Sequence, residues 1–272
     1  MNTLLQRIYS GTFFVSLIVG SIVAGRFAFM ALFSLITVAS LLEFYRVSLR
    51  SKVKAHFVMG AVTGVVLFMV NFLFASQYAN TNIFLFLIPF VLSFYFLEIY
   101  KKHRTSISNL AITFFGLVYI AIPFSLINYF VFPHADGVYY FNILLGFFIL
   151  LWSADTGAFI FGMLLGKHKL MPLLSPKKTW EGFIGGILFT VLVAVIISGI
   201  DHTLHISHWI VCALIISIVG MYGDMAESMF KRSVKIKDTG NILPGHGGLL
   251  DRFDSFLLAA PAVFFYLHWV LY

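Results

Sequence analysis

The sequence predicts an all-α, polytopic integral membrane protein with about nine transmembrane helices, and three observations support this fold class. Of its 272 residues, 60% are apolar and only 11% are charged, whereas soluble domains are about 45–50% apolar and about 25% charged. The apolar residues form runs of about 20, the length that crosses about 30 Å of hydrocarbon as a helix. The basic residues lie in alternate connections between these runs. A soluble globular domain is therefore excluded.

Nine apolar runs predict the spans in chain order. The first two are separated only by Gly25 and Arg26, which leaves open a single re-entrant unit. We divide the chain into residues 1–140, with about five spans, and residues 141–272, with about four spans plus the cytoplasmic loops that carry the candidate catalytic residues. The spans cover roughly 8–25, 27–45, 57–75, 83–100, 110–131, 141–165, 182–200, 208–230 and 254–272.

The distribution of Lys and Arg predicts the orientation of the chain, because these residues accumulate in cytoplasmic loops. With the nine spans above, 17 of the 18 basic residues fall on one side, and Arg26 falls on the other. We therefore expect a cytoplasmic N-terminus and a C-terminus outside, which requires an odd number of spans.

Two segments of the N-terminal region are similar to each other. LLEFYRVSLR at 41–50 and FLEIYKKHR at 96–104 each place a glutamate before a basic cluster. Helical hairpins often end this way at the cytoplasmic interface, although an internal repeat is the other interpretation. We expect Glu43 and Glu98 to be interfacial and without a catalytic role.

Asp155 is a carboxylate inside an apolar run. Such groups cost roughly 2.5–3.5 kcal/mol at mid-helix and are functional candidates for that reason. It lies about eleven residues from the cytoplasmic end of its run, roughly 16 Å deep. Ser153, Thr156 and several glycines around it favour a hydrated cleft, and a purely structural aspartate is the alternative.

The eighth span ends in a polar stripe. Asp224, Glu227, Ser228 and Lys231 follow the spacing of one helix face. Taken alone, this stripe is equally typical of a helix end whose charged side chains reach for the interface.

A glycine-rich loop follows Lys237 and Asp238. It begins at Asn241, has its turn at 244–248 and contains His246. Its glycines permit backbone N–H groups to approach an anion closely, as in phosphate-binding turns. Asp251 and Asp254 follow on one face of the last span. Carboxylates beside lysines favour Mg²⁺ held together with phosphate oxygens. Zinc is less favoured because no histidine pair lies at ligand spacing beside these acids.

The segment LLSPKKTWEG at 173–182 precedes the seventh span. Its donors suit phosphate oxygens, and an ordinary cytoplasmic loop with lysines is the alternative. The candidate phosphate ligands here are Ser175, Lys177, Lys178 and Thr179.

The run from Ser228 to Asp254, SMFKRSVKIKDTGNILPGHGGLLDRFD, resembles the signature of the phosphatidate cytidylyltransferases, also called CDP-diacylglycerol synthases. DTGAF, which begins at Asp155, and SPKKTWEG at 175–182 are similar to accessory motifs of that family. The resemblance covers the C-terminal half densely, whereas the first 140 residues match only as apolar spans.

This resemblance implies the reaction of CTP with phosphatidic acid to give CDP-diacylglycerol and pyrophosphate. It also implies an active site on the cytoplasmic face of a bacterial-type plasma membrane, with Mg²⁺ and a second, monovalent cation such as K⁺. In the family, the aspartates of a Gly-Asp and an Asp-Arg pair are associated with metal, and these correspond to Asp224 and Asp251. The expected partners are CTP, phosphatidic acid, the lipid bilayer and a second copy in a homodimer, with no nucleic acid.

The residue patterns and the resemblance together give two sets of candidate residues. The candidate catalytic residues are Asp224, Asp251, Lys231, Arg232, Lys237, Asp238, His246, Arg252 and Asp254. The candidate substrate-binding residues are Asp155, Ser175, Lys177, Lys178, Thr179, Glu227, Ser228, Gly247 and Gly248.

Two other functions remain open from the sequence. A CTP-dependent polyprenol-type lipid kinase would share the substrates and the membrane setting. A transporter of an anionic solute would use the buried aspartate and the cytoplasmic lysines as a pathway. The Asp-x-x-Asp-Gly-x-x-Ala-Arg motif of the CDP-alcohol phosphotransferases is not found in the sequence.

Overall fold

The computed structural model of the chain describes residues 3–51, 53–100, 106–172, 174–240 and 247–271. Within these ranges, eight helical segments are long and apolar enough to cross a membrane, and the helix before them has a shorter apolar part, Tyr9–Ala24. This confirms the all-α, polytopic membrane class. The orientation of the termini stays a prediction.

The chain forms two compact units, each made of two stretches of sequence. Unit 1 comprises Met1–Tyr139 and Val234–Arg252, and unit 2 comprises Tyr140–Ser233 and Phe253–Tyr272. The segment Val234–Arg252 therefore belongs to unit 1, although Tyr140–Ser233 of unit 2 separates it in sequence from the rest of that unit.

Seven α-helices build the first stretch of unit 1. They are α1 (Thr3–Ala24), α2 (Arg26–Ser48), α3 (Phe57–Ala75), α4 (Leu87–Tyr100), α5 (Ser106–Gly116), α6 (Ile122–Leu126) and α7 (Asn128–Val131). Short 3₁₀ segments follow α2 at Leu49–Ser51 and precede α4 at Thr81–Phe86, and a π-helical turn, Leu117–Ala121, joins α5 to α6. Gly25 separates α1 from α2 with a φ of 110°, a conformation that favours glycine. The first two apolar runs are thus two distinct helices that pack against each other.

The core of unit 1 is aromatic and includes a buried tyrosine held between two glycines. A Cβ at Gly60 or at Gly116 would lie 2.6 Å from the ring of Tyr45. The Tyr45 hydroxyl donates to the carbonyl oxygen of Thr113 at 2.9 Å. Glycine at both positions therefore lets α3 and α5 close on the ring from α2.

Glu43 and Glu98 are both buried inside unit 1, with 3% and 4% of their surface exposed, and their position at the membrane interface stays a prediction. Glu98 Oε2 lies 2.7 Å from His56 Nε2, and Glu98 Oε1 accepts from Asn109 Nδ2 at 2.8 Å. These partners join the start of α3, α4 and α5. Burial is tolerated because hydrogen-bond donors replace water around each carboxylate.

Unit 2 contains a small sheet that the sequence does not predict. Its elements are α8 (Asn142–Leu165), β1 (Lys169–Met171), β2 (Ser175–Thr179), α9 (Trp180–Ile200), α10 (Ile206–Ser233) and α11 (Leu250–Leu271), whose first three residues belong to unit 1. The two strands pair antiparallel, with Lys169 opposite Thr179 and Met171 opposite Ser175. The predicted loop at 173–182 is therefore one arm of a hairpin followed by a helix start.

Small residues bring α8 and α9 close together. A Cβ at Gly182 would lie 2.8 Å from the carbonyl oxygen of Ala158, and one at Gly186 would lie 3.1 Å from that of Ala154. Contacts of this kind are typical of helices that pack inside membranes. They fix the position of α8, which carries Asp155, against α9.

Candidate active site

Three carboxylates converge in unit 2, where α10 meets α11. Asp224 and Glu227 lie one turn apart on α10, and Asp254 lies on α11. One oxygen atom from each of the three lies within 4.8 Å of the other two. Three acids at this separation repel one another unless cations or protons compensate their charge.

A glycine contact between the two helices allows this convergence. A Cβ at Gly223 would lie 2.6 Å from the carbonyl oxygen of Asp254 and 3.1 Å from Cα of Ser255. Gly220, one turn earlier, also packs on Ser255, where a Cβ would lie 3.4 Å from the serine Cβ. Because no side chain separates the backbones here, Asp224 and Asp254 come within reach of the same cation.

Lysines and a hydroxyl surround the acids. Lys178, on β2, forms an ion pair with Asp224, and Lys231 Nζ donates to Glu227 Oε2 at 3.1 Å. Glu227 is completely buried and the Lys231 side chain is 14% exposed. Ser228 Oγ lies 3.4 Å from Asp224 Oδ1. The cluster is therefore a mixed-charge site rather than an acidic patch.

Asp155 lies near these groups. It is exposed on α8, and its charge, like that of Asp224 and Lys178, acts on Asp254. The Asp254 carboxylate also accepts the Ser255 backbone N–H at 2.6 Å. Unit 2 thus brings together four of the candidate acids: Asp155, Asp224, Glu227 and Asp254.

A cavity of about 360 Å³ adjoins Lys178. Apolar residues of α8, α9 and α10 form most of its wall, among them Leu151, Phe159, Phe183 and Ile216. The polar groups that line it are Asp155, Lys177, Lys178, Thr179, Ser217 and Ser255. The combination of an apolar wall with lysines at one side suits an amphiphile that carries an anionic group.

The hairpin that carries the lysines is fastened to α9 at both of its ends. Thr179 Oγ1 accepts the Gly182 backbone N–H at 3.2 Å and so caps the first turn of α9. Glu181 accepts the backbone N–H groups of Lys167 and His168 at 3.1 and 3.2 Å and lies 2.6 Å from His168 Nδ1. These contacts fix the direction of β2, which carries Lys177, Lys178 and the half-buried Ser175.

Asp251 lies in a different cluster, in unit 1. Its Oδ2 accepts the backbone N–H groups of Thr239 and Gly248 at 3.0 and 2.8 Å, and the Thr239 hydroxyl lies 3.0 Å away. Glu43, from α2, accepts the Leu249 N–H at 2.8 Å and also contacts the Thr239 hydroxyl. The role of Asp251 as a metal ligand stays a prediction, and in the structure its Oδ2 joins Thr239 to Gly248.

The remaining candidate residues are placed as follows. Gly247 has a φ of 85°, which favours glycine, and Gly248 packs directly on Glu43 and Thr239. Lys237 and Asp238 are exposed in unit 1, as is Arg252, and Arg232 is exposed at the end of α10. His246 lies outside the described residues.

Sequence reasoning missed the contribution of Glu43. The available signal was its position inside an apolar run, the same signal that singled out Asp155. The basic residues that follow Glu43 in the sequence favoured an interfacial interpretation instead. The sequence analysis includes Glu227 as a candidate substrate-binding residue. In the structure, its carboxylate lies with those of Asp224 and Asp254 in a group that could hold a metal ion.

Several known proteins are similar in sequence to this chain. The chain is 44% identical over 162 residues to a phosphatidate cytidylyltransferase of Staphylococcus haemolyticus. It is 44% identical over 163 residues to one of Staphylococcus epidermidis and 41% identical over 162 residues to one of Staphylococcus aureus. Each match covers 59% of this chain and 60% of the relative, so the chain spans about 60% of the length of the curated relatives it matches.

The model of one protein family extends over nearly the whole chain. It matches residues 5–270, which include both units and every candidate site residue. The chain therefore belongs to the cytidylyltransferase family.

Proposed function

We propose that the protein is a phosphatidate cytidylyltransferase, which converts CTP and phosphatidic acid into CDP-diacylglycerol and pyrophosphate. The observation that carries the proposal is the convergence of Asp224, Glu227 and Asp254 beside Lys178 and Lys231. Membership in the cytidylyltransferase family and the similarity to phosphatidate cytidylyltransferases support the same activity. Because the nearby cavity is mostly apolar, the site also suits a lipid substrate.

We propose Mg²⁺ as the divalent cation of this site, held by the three converging carboxylates. The donor set fits, since Mg²⁺ prefers oxygen ligands and is commonly bound by one or two carboxylates together with phosphate oxygens. Bound there, the ion would neutralise charge that grows on the phosphates. We also propose Asp251 as a metal ligand. A second, monovalent cation such as K⁺ is part of the proposal, and no ligands are assigned to it.

The chemistry needs positioning and charge compensation more than a strong base. The phosphate monoester of phosphatidic acid has a second pKa of about 6 and is largely ionised at neutral pH. Its oxygen would attack the α-phosphorus of CTP, and the bond from that phosphorus to the bridging oxygen of pyrophosphate would break. Electrostatic stabilisation supplies most of the rate in such transfers.

The lysines of unit 2 would provide much of this stabilisation. Lys178 already pairs with Asp224. A phosphate that enters the site would therefore bind Lys178 together with Asp224 or in place of it. Lys177 is exposed and lines the cavity, forms no ion pair among the described residues, and would meet an anionic group directly. Lys231 pairs with the fully buried Glu227 and so compensates the charge of that carboxylate beside the proposed cation site.

We further propose that the active site faces the cytoplasm of a bacterial cell. The asymmetry of the basic residues supports this orientation, and the relatives are bacterial. CTP would then arrive from the cytosol, while phosphatidic acid would enter sideways from the inner leaflet.

The test follows two labels in purified protein mixed with phosphatidic acid micelles and Mg²⁺. Label at the α-phosphorus of CTP should enter the lipid fraction, with release of pyrophosphate. Entry of γ-label with release of CDP would instead identify a lipid kinase. Flux of an anion in proteoliposomes without nucleotide would identify a transporter.

Matched variants locate the site. We expect Asp224→Asn to lower transfer by at least about 100-fold, the size of effect seen when a key electrostatic group is lost. Asp201→Asn is the control, because that carboxylate is also in unit 2 but bonds Asn142 and Thr203 at the other end of α10. Normal transfer by Asp224→Asn would refute the assignment of the site.

A further inference from the structure

Ser217 carries a buried hydroxyl group without a hydrogen-bond partner. The residue lies on α10 and is 6% exposed, and its Oγ forms no hydrogen bond within the described part of the chain. Two other buried hydroxyls in helices of unit 2 bond the carbonyl oxygen four residues earlier: Ser153 donates to Ile149 and Thr190 to Gly186, both at 2.7 Å. Because buried polar groups are almost always paired, the exception at Ser217 indicates a role in binding.

Ser217 lines the same cavity of unit 2 as the lysines of β2. Among the other polar groups of the wall, Lys178 pairs with Asp224 and Ser255 directly follows Asp254, so both lie at the acid cluster. Ser217 precedes Asp224 on α10 by about two turns, which is roughly 10 Å along the helix. The cavity therefore has a charged end and, farther along α10, one uncharged hydroxyl.

This separation matches the distance from the phosphate to the ester groups in phosphatidic acid. With covalent bonds of about 1.5 Å, an ester carbonyl oxygen lies about 5–7 Å from the phosphorus. Hydrogen bonds of about 2.8 Å at each end extend the reach to about 10–13 Å. A lipid whose phosphate binds at Lys178 would thus bring an ester carbonyl to Ser217.

The surroundings of Ser217 favour this pairing. Leu151, Phe183 and Ile216 belong to the apolar part of the cavity wall, where a carbonyl oxygen taken out of water loses free energy unless it finds a donor. A hydrogen bond is also electrostatically stronger in such a setting than in water. A lipid held by ether oxygens alone has no carbonyl to accept the hydroxyl proton.

We propose that Ser217 is a specificity-determining residue: its hydroxyl donates a hydrogen bond to an ester carbonyl oxygen of phosphatidic acid, so that the site prefers diester over diether lipids. The proposal rests on the proposed function, since it takes phosphatidic acid as the substrate. It gives α10 two tasks in one reaction, with Asp224 near the reacting phosphate and Ser217 at the lipid backbone.

The experiment measures α-label transfer from CTP to two lipids, a diester phosphatidic acid and its diether analogue with chains of the same length. Both lipids are given to the unsubstituted protein, to Ser217→Ala and to Ser153→Ala. Ser153 is the matched control, because it is also a buried serine of unit 2 but is not among the described residues that line the cavity.

We expect KM for the diester lipid to rise about tenfold in Ser217→Ala, the effect of leaving one buried carbonyl without its donor. KM for the diether lipid, kcat for either lipid and KM for CTP should be unchanged, because the hydroxyl lies away from the reacting atoms. Ser153→Ala should keep the preference of the unsubstituted protein for the diester. A general structural defect would instead affect both lipids alike.

The proposal is overturned if the unsubstituted protein uses both lipids with equal KM, or if Ser217→Ala keeps the full preference. A rise in KM for CTP alone would also overturn it, by assigning the hydroxyl to the nucleotide. Should Ser217→Ala not fold, Ser217→Cys decides in the same assay, since a thiol is only a weak donor.

A binding measurement separates this proposal from the proposed function. Equilibrium binding of the two lipids in detergent, without CTP, should show the same tenfold preference and its loss in Ser217→Ala. If the unsubstituted protein transfers no α-label, the proposed function fails, and the binding comparison still decides whether Ser217 recognises the ester. Equal binding of both lipids by a protein that does transfer label would refute the role of Ser217 alone.

Discussion

Replacement of Gly223 by alanine should disturb the carboxylate cluster without changing any of its acids. The new Cβ would lie 2.6 Å from the carbonyl oxygen of Asp254, whereas ordinary contacts begin at 3.4 Å. Helices α10 and α11 must therefore separate by the difference, about 0.8 Å. Overpacking of this kind costs about 1–3 kcal/mol of stability, and a misplacement of about 1 Å can lower a rate about 100-fold.

The assay for Gly223→Ala is the initial rate of α-label transfer as a function of Mg²⁺ concentration. We expect the maximal rate to fall by about 100-fold and the Mg²⁺ concentration for half-maximal rate to rise, because Asp224 and Asp254 no longer reach one cation. Gly199→Ala is the control, since a Cβ there meets no atom within 4 Å. That control should keep its rate and gain up to about 1 kcal/mol of stability.

The result that would refute this reasoning is a Gly223→Ala protein with the rate and the Mg²⁺ requirement of Gly199→Ala. Close contact between α10 and α11 would then not determine the geometry of the acids. A loss of rate without any change in Mg²⁺ requirement would equally contradict it, because the cluster would still bind the cation normally.

Three further predictions concern stability and metal dependence. Thr179→Val removes the cap of α9, so its unfolding free energy should fall by about 1 kcal/mol, while Thr179→Ser should keep it; denaturant titration in detergent measures both. His56→Ala removes the 2.7 Å partner of the buried Glu98, and should lower the unfolding free energy by about 1.5–3 kcal/mol with an unchanged Mg²⁺ requirement for transfer. Chelation of divalent cations should stop transfer and lower the thermal unfolding midpoint, and added Mg²⁺ should restore both. A thermal midpoint that is unchanged by chelation would contradict a metal site built from carboxylates.

The helices of this protein could be predicted from sequence because lipid imposes a simple rule of length and apolarity. The rule locates α8 within a residue, at 141–165 against Asn142–Leu165. It also separates α1 from α2 at Gly25, but it gives no warning of the π-helical turn at Leu117–Ala121.

The hairpin at 169–179 was not predictable by the same rule. Its strands have three and five residues, and lysines between two spans are equally typical of a plain cytoplasmic loop. Glu181, at the start of α9, accepts the backbone N–H groups of Lys167 and His168 just before β1. Neither apolar periodicity nor charge counting can show such contacts.

The acids of the site could be selected from sequence, but not their grouping. Asp224 and Glu227 are three residues apart, and so are Asp251 and Asp254, so helical spacing treats the two pairs alike. In the structure, the close approach at Gly223 joins Asp254 to the first pair. Asp251 binds the loop ends instead, together with Glu43, whose partners are about 200 residues distant in sequence.

This distance has a consequence for biosynthesis. Glu43 emerges from the ribosome 196 residues before Thr239, a delay of about 10–40 s at about 5–20 residues per second. During that interval unit 1 has a carboxylate without the N–H and hydroxyl donors that the finished fold supplies. A chain that stops before Val234 never acquires them, so Glu43 gains these partners only after the second stretch of unit 1 has been synthesised.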